Sequence, residues 1–398
     1  MAEGIGPAHA LWRAIPAGPR RGALHAACRL AAPRADAHAP ATSTGIVTMG
    51  EMTRNSGLGE AARLLHAGIA RCGLDRGAVD LGVLRRPVPA RAAPDAALLL
   101  HVNAPTIPLM LARAPRDFLR GRRVIGFWNW ELATLPTAWG RAGGYIHEIW
   151  APSAFTRAAI ETRYPGRVRL VPYPLAAIDL PPASPDRARF GVPDGAVMTL
   201  VIANLGASFA RKNPLAAIAA HRAAFGDRAD RILIVKLAGG AAFPADMKTL
   251  AAAIAGAPNI RLIDESWAAE RLRTLLASAD ILLSLHRAEG FGLVPAEAML
   301  RGIPVIATGW SGTLQFMNHD SASLVAHRLV PVADARGAYA DAAALWAEPD
   351  IDDAANRLRA LADDKAARHA LARRGRAGVT AALGLAPLAA ALAANGIS

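Results

Sequence analysis

The sequence has 398 residues, of which 53% are hydrophobic and 19% charged. That is enough for two ordinary domains with their own cores, and it excludes a disordered chain. The formal charge of +13 comes almost wholly from scattered arginines, with no run of five and no interleaved aromatics. This argues against nucleic acid and leaves an anionic membrane or substrate as the counterpart of a basic surface.

Residues 1–42 are rich in Arg, Ala and Pro, with Glu3 and Asp36 as the only acids. Arg13, Arg20, Arg21 and Arg29 interrupt the apolar core that a secretory signal requires. The stretch reads as a poorly ordered extension, with an interfacial membrane helix around Leu11 to Leu30 as the alternative. No segment reaches the roughly 18–20 unbroken apolar residues that span a bilayer. Cys28 and Cys72, the two cysteines, lack metal-ligand spacing and point to a reducing cytoplasm.

From residue 43 short apolar runs alternate with helical segments. Strands are predicted at Gly45–Met49, Ala97–Val102, Arg123–Phe127, Glu148–Ala151 and Val168–Val171, with a helix from about Glu60 to Cys72. Prolines then thicken from Pro172 to Pro193 and mark a domain boundary. Beyond it, strands are predicted at Val197–Ala203, Ile232–Leu237, Ile260–Ile263, Ile281–Leu285 and Pro304–Thr308. Helices are expected at Pro214–Phe225, Ala245–Ala255, Ala268–Ala277 and Pro295–Arg301. From Ala340 onward the chain reads as helical, without further strands. The expected class is α/β, with two doubly wound Rossmann-like domains facing across a cleft and ligands beyond the carboxyl ends of the strands. The expected division is an extension at 1–42, domains at 43–180 and 181–375, and a helical tail at 376–398.

Chemistry concentrates in the second half. The strand at Ile281 runs into Glu289-Gly290-Phe291-Gly292-Leu293, and a helix is expected near Pro295. Two glycines allow close backbone approach, and a helix N-terminus offers unpaired N–H groups and a positive dipole end. That combination suits a diphosphate. Glu289 lies in the loop and Glu297 in the expected first helical turn, so both carboxylates can accept hydrogen bonds from hydroxyls of one ligand. Earlier, Ser208-Phe209-Ala210-Arg211-Lys212-Asn213-Pro214 follows a strand, and its adjacent cations at an expected helix start make a second phosphate clamp. In the first half, Gly57-Leu58-Gly59-Glu60 with Arg63 reads as a glycine-rich loop or a plain tight turn. Trp128 and Trp130 suit either stacking on sugar faces or a core, and His147 reads as structural.

Two glutamates with seven residues between them, followed by Gly302-Ile303-Pro304-Val305-Ile306-Ala307-Thr308 and the loop Gly309 to Thr313, resemble the donor-site signature of family 4 retaining glycosyltransferases of the GT-B fold. Gly126 to Leu132 and Glu148 to Ser153 resemble a bacterial mannosyltransferase-like subgroup that builds polysaccharides and glycolipids. The resemblance covers about residues 43 to 375 and is more specific in the second half. It implies an acceptor-side first domain with Gly57 and Gly59 in its glycine-rich loop, and a nucleotide-sugar-binding second domain. Glu289 would contact the donor sugar and Glu297 the ribose, while backbone N–H groups of Gly290, Phe291, Gly292 and Leu293 would hold sugar or phosphate. Arg211 and Lys212 would grip the diphosphate. Many members carry another arginine where this chain has Gly206, which ranks Lys212 above Arg211. A nucleotide-diphosphate sugar is the implied donor and a saccharide or lipid-linked saccharide the acceptor. No metal cofactor and no nucleic acid are implied. The implied location is cytoplasmic, with peripheral contact at the inner membrane face. A nucleotide-sugar epimerase of the same fold and a non-catalytic sugar-nucleotide-binding protein are the rivals.

Overall fold

In the computed structural model, residues 17–54, 56–81, 93, 95–337, 339 and 344–398 are described. Two parallel sheets dominate. The first is built from β1 (Ile46–Gly50), β2 (Asp75–Asp80), β3 (Ala97–His101), β4 (Val124–Phe127), β5 (Glu148–Ala151) and β6 (Val168–Leu170), in the order β2-β1-β3-β4-β5-β6. The second contains β7 (Val197–Asn204), β8 (Arg231–Ala238), β9 (Ile260–Asp264), β10 (Ile281–Ser284), β11 (Val305–Thr308) and β12 (Ser323–Val325), in the order β12-β11-β10-β7-β8-β9. The inner strands β1, β3, β4, β7, β10 and β11 are near-continuous apolar runs, as burial on both faces requires, whereas the edge strand β2 is polar and has no buried residue. All five residues of β1 and of β3 are buried, as are six of eight in β8.

The expected strands and helices form, with ends that move by one to three residues. Two differences matter. A two-stranded antiparallel hairpin, β13 (His327–Pro331) and β14 (Leu345–Pro349), interrupts the region expected to be helical; residues 340–343 of that expectation lie outside the described residues. The alanines around Trp346 hide the strand period in the sequence, and cross-strand pairing supplies what local pattern does not. Within the first 42 residues, Ala17–Ala31 is helical and exposes Leu24 and Leu30, while residues 1–16 lie outside the described residues.

The described residues form two compact units. One takes those up to Trp128, Pro136–Trp150 and Leu392–Ser398; the other takes Asn129–Leu135 and Ala151–Ala391. Residues 151–180, expected with the first domain, therefore pack with the second unit, where Ser153 Oγ donates to the Gly290 carbonyl at 2.7 Å. In the second unit Leu233, Val235, Leu237, Leu283 and Ile306 join Leu358 and Ile218 in one core. Each such side chain contributes roughly 1.5–3 kcal/mol on burial. Helix Ile351–Asp363 enters through Asp350, whose side chain caps the Asp353 N–H at 2.9 Å.

Among the described residues, the helical stretch Lys365–Ala394 is long and apolar enough to cross a membrane by length and composition. It is in fact two helices, Lys365–Ala382 and Leu385–Ala394, and Leu383, Leu388 and Leu392 are fully buried. Thr380, Gly384 and Pro387 interrupt its apolar run, which is why the sequence pattern passes over it.

Candidate active site

The chain lays down β7, β8 and β9 in one direction and then returns to place β10 on the other side of β7. Loops leaving the carboxyl ends of β7 and β10 diverge there, and such a switch point is where doubly wound sheets bind ligands. The loop after β7 carries Arg211 and Lys212; the loop after β10 carries Glu289. The described non-glycine residues with positive φ are Ser208 (99°), Asn213 (52°) and Ser311 (74°), and all three border this point. Each such residue costs on the order of 1–3 kcal/mol, and strain of this kind collects at functional sites.

Asn213, which tolerates the left-handed conformation, separates the cationic pair from the helix Pro214–Phe225. Arg211 and Lys212 therefore close a four-residue helical turn, Phe209–Lys212, instead of opening the long helix as expected. Ser208 caps that turn by accepting from the Arg211 N–H at 3.2 Å. Arg287 pins it from the other loop, donating to the Ala210 carbonyl at 2.7 Å and to both carboxylate oxygens of Glu348 on β14, at 2.6 and 3.0 Å.

Arg211 is buried. Its Nη1 donates to the Ala288 carbonyl at 2.7 Å and lies 3.1 Å from Glu289 Oε2, while Nη2 reaches the Ala207 carbonyl at 3.1 Å. Lys212, partly exposed, donates to Glu289 Oε1. Burial alone would raise the Glu289 carboxyl, but Lys212 and Arg211 outweigh it and hold its pKa at about 2. Glu131 approaches the same guanidinium, 4.0 Å from Arg211 Nη2, and the Tyr339 hydroxyl joins both. Glu131 shifts the opposite way: burial pushes its pKa up, against the pull of Arg211. Buried His286 lies between Ser284 and the Trp310 carbonyl, and burial lowers its pKa toward the neutral imidazole. Lys212, Glu289, Val294 and Pro295 share a small cavity of ≈ 20 Å³, room for about one water.

The glycines act by close approach. Gly292 has φ +97° and becomes the N-cap of helix Leu293–Leu300, with no side-chain cap, so the helix end keeps its own donors available. A Cβ on Gly312 would lie 2.1 Å from the Gly290 carbonyl oxygen and 2.7 Å from that of Glu289, whose carbonyl accepts from the Gly312 N–H at 2.8 Å. Gly312→Ala is expected to part the two loops and cost about 1–3 kcal/mol in thermal unfolding. Gly57→Ala, where a Cβ meets nothing within 4 Å, should leave melting nearly unchanged by the same measurement.

Other expected site residues sit differently. The helix after the glycine loop begins at Leu293, earlier than expected, because Gly292 turns the chain at once. Glu297 consequently falls in the second turn, where its carboxylate accepts from Arg301 Nε at 2.9 Å. It is not among the groups gathered around Arg211. Phe291 buries its ring edge-on to Tyr173, 5.1 Å between centroids. Gly57 and Gly59 start helix Gly57–Arg71 in the other compact unit; a Cβ on Gly59 would collide with the Arg54 carbonyl at 2.2 Å. Arg63 donates to the Met52 and Arg54 carbonyls and holds that loop. Trp128 and Trp130 are buried, and His147 bonds the backbone of Val124 and Asp36. Tyr339 and His286 carry no local pattern and escape a sequence reading; Ser311 and Glu131 lie within the resembling stretches Gly309 to Thr313 and Gly126 to Leu132, but nothing local marks them as neighbours of Glu289 and Arg211. Among the described residues, no group of three His, Cys, Asp or Glu could hold a metal ion.

Residues 155–385, more than half of the chain, match the family described as Family 4 Glycosyltransferase in conflict systems. The chain belongs to this family. No curated protein matches its sequence. Among solved structures, HepE of Anabaena in complex with UDP and glucose is 14% identical, with a TM-score of 0.62 over 88% of this chain and 99% of that one. A glycosyltransferase from Rickettsia africae is 11% identical, with a TM-score of 0.61 over 87% and 96%. WaaG, a glycosyltransferase involved in lipopolysaccharide biosynthesis, is 15% identical, with a TM-score of 0.56 over 87% and 99%. At these identities the likeness carries the fold, which is GT-B as expected. The protein is a glycosyltransferase, and its Arg211–Lys212–Glu289 cluster lies at the switch point of the sheet within the family match.

Proposed function

We propose that this glycosyltransferase moves a hexose, with mannose favoured, from a nucleotide-diphosphate sugar to a saccharide or lipid-linked saccharide, with retention and without a metal ion. The supporting observation is the convergence of two cations, a buried carboxylate and an uncapped helix start on one strained switch point. In this reading Glu289 accepts from a sugar hydroxyl through its remaining lone pairs, while Lys212 keeps its bond to that carboxylate and turns its other donors to the diphosphate. Glu297 offers its remaining acceptor positions to the ribose beside Arg301. Backbone donors at Gly290 to Leu293 meet the phosphates, and Gly57 and Gly59 belong to the acceptor side.

The acceptor oxygen forms its bond to the anomeric carbon as the bond to the diphosphate breaks, on the same face. The departing phosphate takes the acceptor proton. Lys212, Arg211 and the dipole of helix Leu293–Leu300 stabilise the charge that phosphate gains, a contribution of transition-state electrostatics. A cytoplasmic site of action at the inner membrane face, where anionic lipid meets a basic protein, belongs to the same proposal.

Thermal unfolding against a panel of nucleotide-diphosphate sugars tests the reading. At a hundredfold excess over Kd the cognate donor should add about 2.7 kcal/mol to stability. Product anomers read by NMR should match the donor's configuration. No shift with any donor, inverted product, or isomerised nucleotide sugar without acceptor would each overturn it.

A further inference from the structure

The charges around Arg211 balance before any substrate arrives. Arg211 and Lys212 supply two positive charges; Glu289 and Glu131 supply two negative ones. Tyr339, the other titratable group facing Glu131, stays neutral because burial raises its pKa. A nucleotide-diphosphate sugar brings two more negative charges, fixed at neutral pH because both phosphates are esterified. In a partly buried cluster such an excess is costly unless one carboxylate gives way.

The two carboxylates are not held alike. Glu289 is gripped by Lys212 and, at 3.1 Å, by Arg211, and its backbone N–H donates to Ser311 Oγ at 2.8 Å. Glu131 has Arg211 only at 4.0 Å and the Tyr339 hydroxyl, and its side chain is one-quarter exposed, within reach of solvent protons. Arg211 also keeps a buried Nε–H with no acceptor among the described residues.

Resting on the donor-site reading above, we propose that Glu131 is a further positioning residue, which takes up one proton from solvent as the donor diphosphate arrives and thereby leaves Arg211 to the diphosphate. Its carboxyl already has the raised proton affinity this requires, through burial and the nearby Glu289, against the pull of Arg211 and Lys212. Above the pKa of free Glu131 the carboxylate must be protonated at binding, so donor affinity falls as pH rises.

Calorimetric titration of the full chain with UDP-glucose and with GDP-mannose, from pH 6 to 8.5 in buffers of different ionisation enthalpy, reads the proton count. Wild type should take up close to one proton and lose up to about tenfold in affinity per pH unit. Glu131→Gln should bind with no uptake, a flat pH profile and an affinity at pH 8 at least about threefold above wild type. A carboxylate that merely accepts a sugar hydroxyl predicts weaker binding in that variant at every pH, which would overturn the proposal, as would uptake that persists in it. Tyr339→Phe gives an independent check: without the hydroxyl that favours the charged form, the loss of affinity should begin at higher pH. Unchanged behaviour in that variant counts against Glu131. Donor binding without proton uptake sinks this inference alone, whereas no binding of either nucleotide sugar by folded wild type sinks the donor site itself.

Discussion

Lys212→Ala is expected to lower turnover about 10²- to 10³-fold, with donor affinity falling less. The lysine ends a four-residue turn fixed by Ser208 and Arg287, so its ammonium is placed without reorganisation beside Glu289 and the start of helix Leu293–Leu300. A preorganised cation facing charge that develops on a leaving group contributes most in the transition state, and only that excess raises turnover. Melting should fall modestly, because Glu289 keeps Arg211 as a partner at 3.1 Å. Steady-state kinetics at saturating donor, together with a thermal melt, separates the two effects. Turnover within about twofold of wild type in a folded variant corresponds to under half a kcal/mol of barrier, too little for a direct phosphate contact.

Glu289 should show the second large effect, on turnover and on stability together. Glu289→Gln keeps an acceptor for Arg211, so transfer should drop at least tenfold more than affinity for the free nucleotide diphosphate. Glu289→Ala instead leaves the buried Arg211 guanidinium short of its closest carboxylate, which costs about 3–5 kcal/mol. The pH dependence follows from the depressed pKa. Glu289 titrates at about 2 in the folded chain, against an unfolded value near 4.3, so its contribution is fully present above about pH 5 and lost as pH falls through 2. That contribution is on the order of 3 kcal/mol, and Glu289→Gln should lack this part of acid unfolding in a melt series from pH 6 to 2. Identical acid profiles for the two proteins would contradict the ion pair.

Much of this molecule is legible along the chain, because strand and helix periods and glycine loops are local signals. The apolar run at Ile281, the Glu289 to Leu293 loop and the helix after it are all contained in about twenty consecutive residues, and the structure forms them with ends shifted by one to three positions. The Arg211–Lys212 pair is equally visible as adjacent cations after a strand. Which of them is buried is not visible. Arg211 is spent on the Ala207 and Ala288 carbonyls and on Glu289, and Lys212 is left partly open, because Asn213 breaks the helix one residue before Pro214. Glu297 shares a helix with Arg301 and pairs with it, since a one-turn neighbour is reached before a more distant ligand group. The glutamate spacing shows neither outcome.

The central contact joins residues 77 positions apart, and it exists because the sheet order places β10 beside β7. Strand order is decided by how whole helices and strands pack, and no window of the sequence carries it. Glu131 and Tyr339 reach Arg211 by the same route, one from the segment Asn129–Leu135 that packs with the second unit, the other from the connection between β13 and β14. The sequence by itself determined the parallel α/β class, the loop that bears Glu289 and the identity of the cations. Only the tertiary structure decided which charges meet, because the cationic pair, Glu289, Glu131 and Tyr339 come from four separate segments and are brought together by packing, which has no period to read.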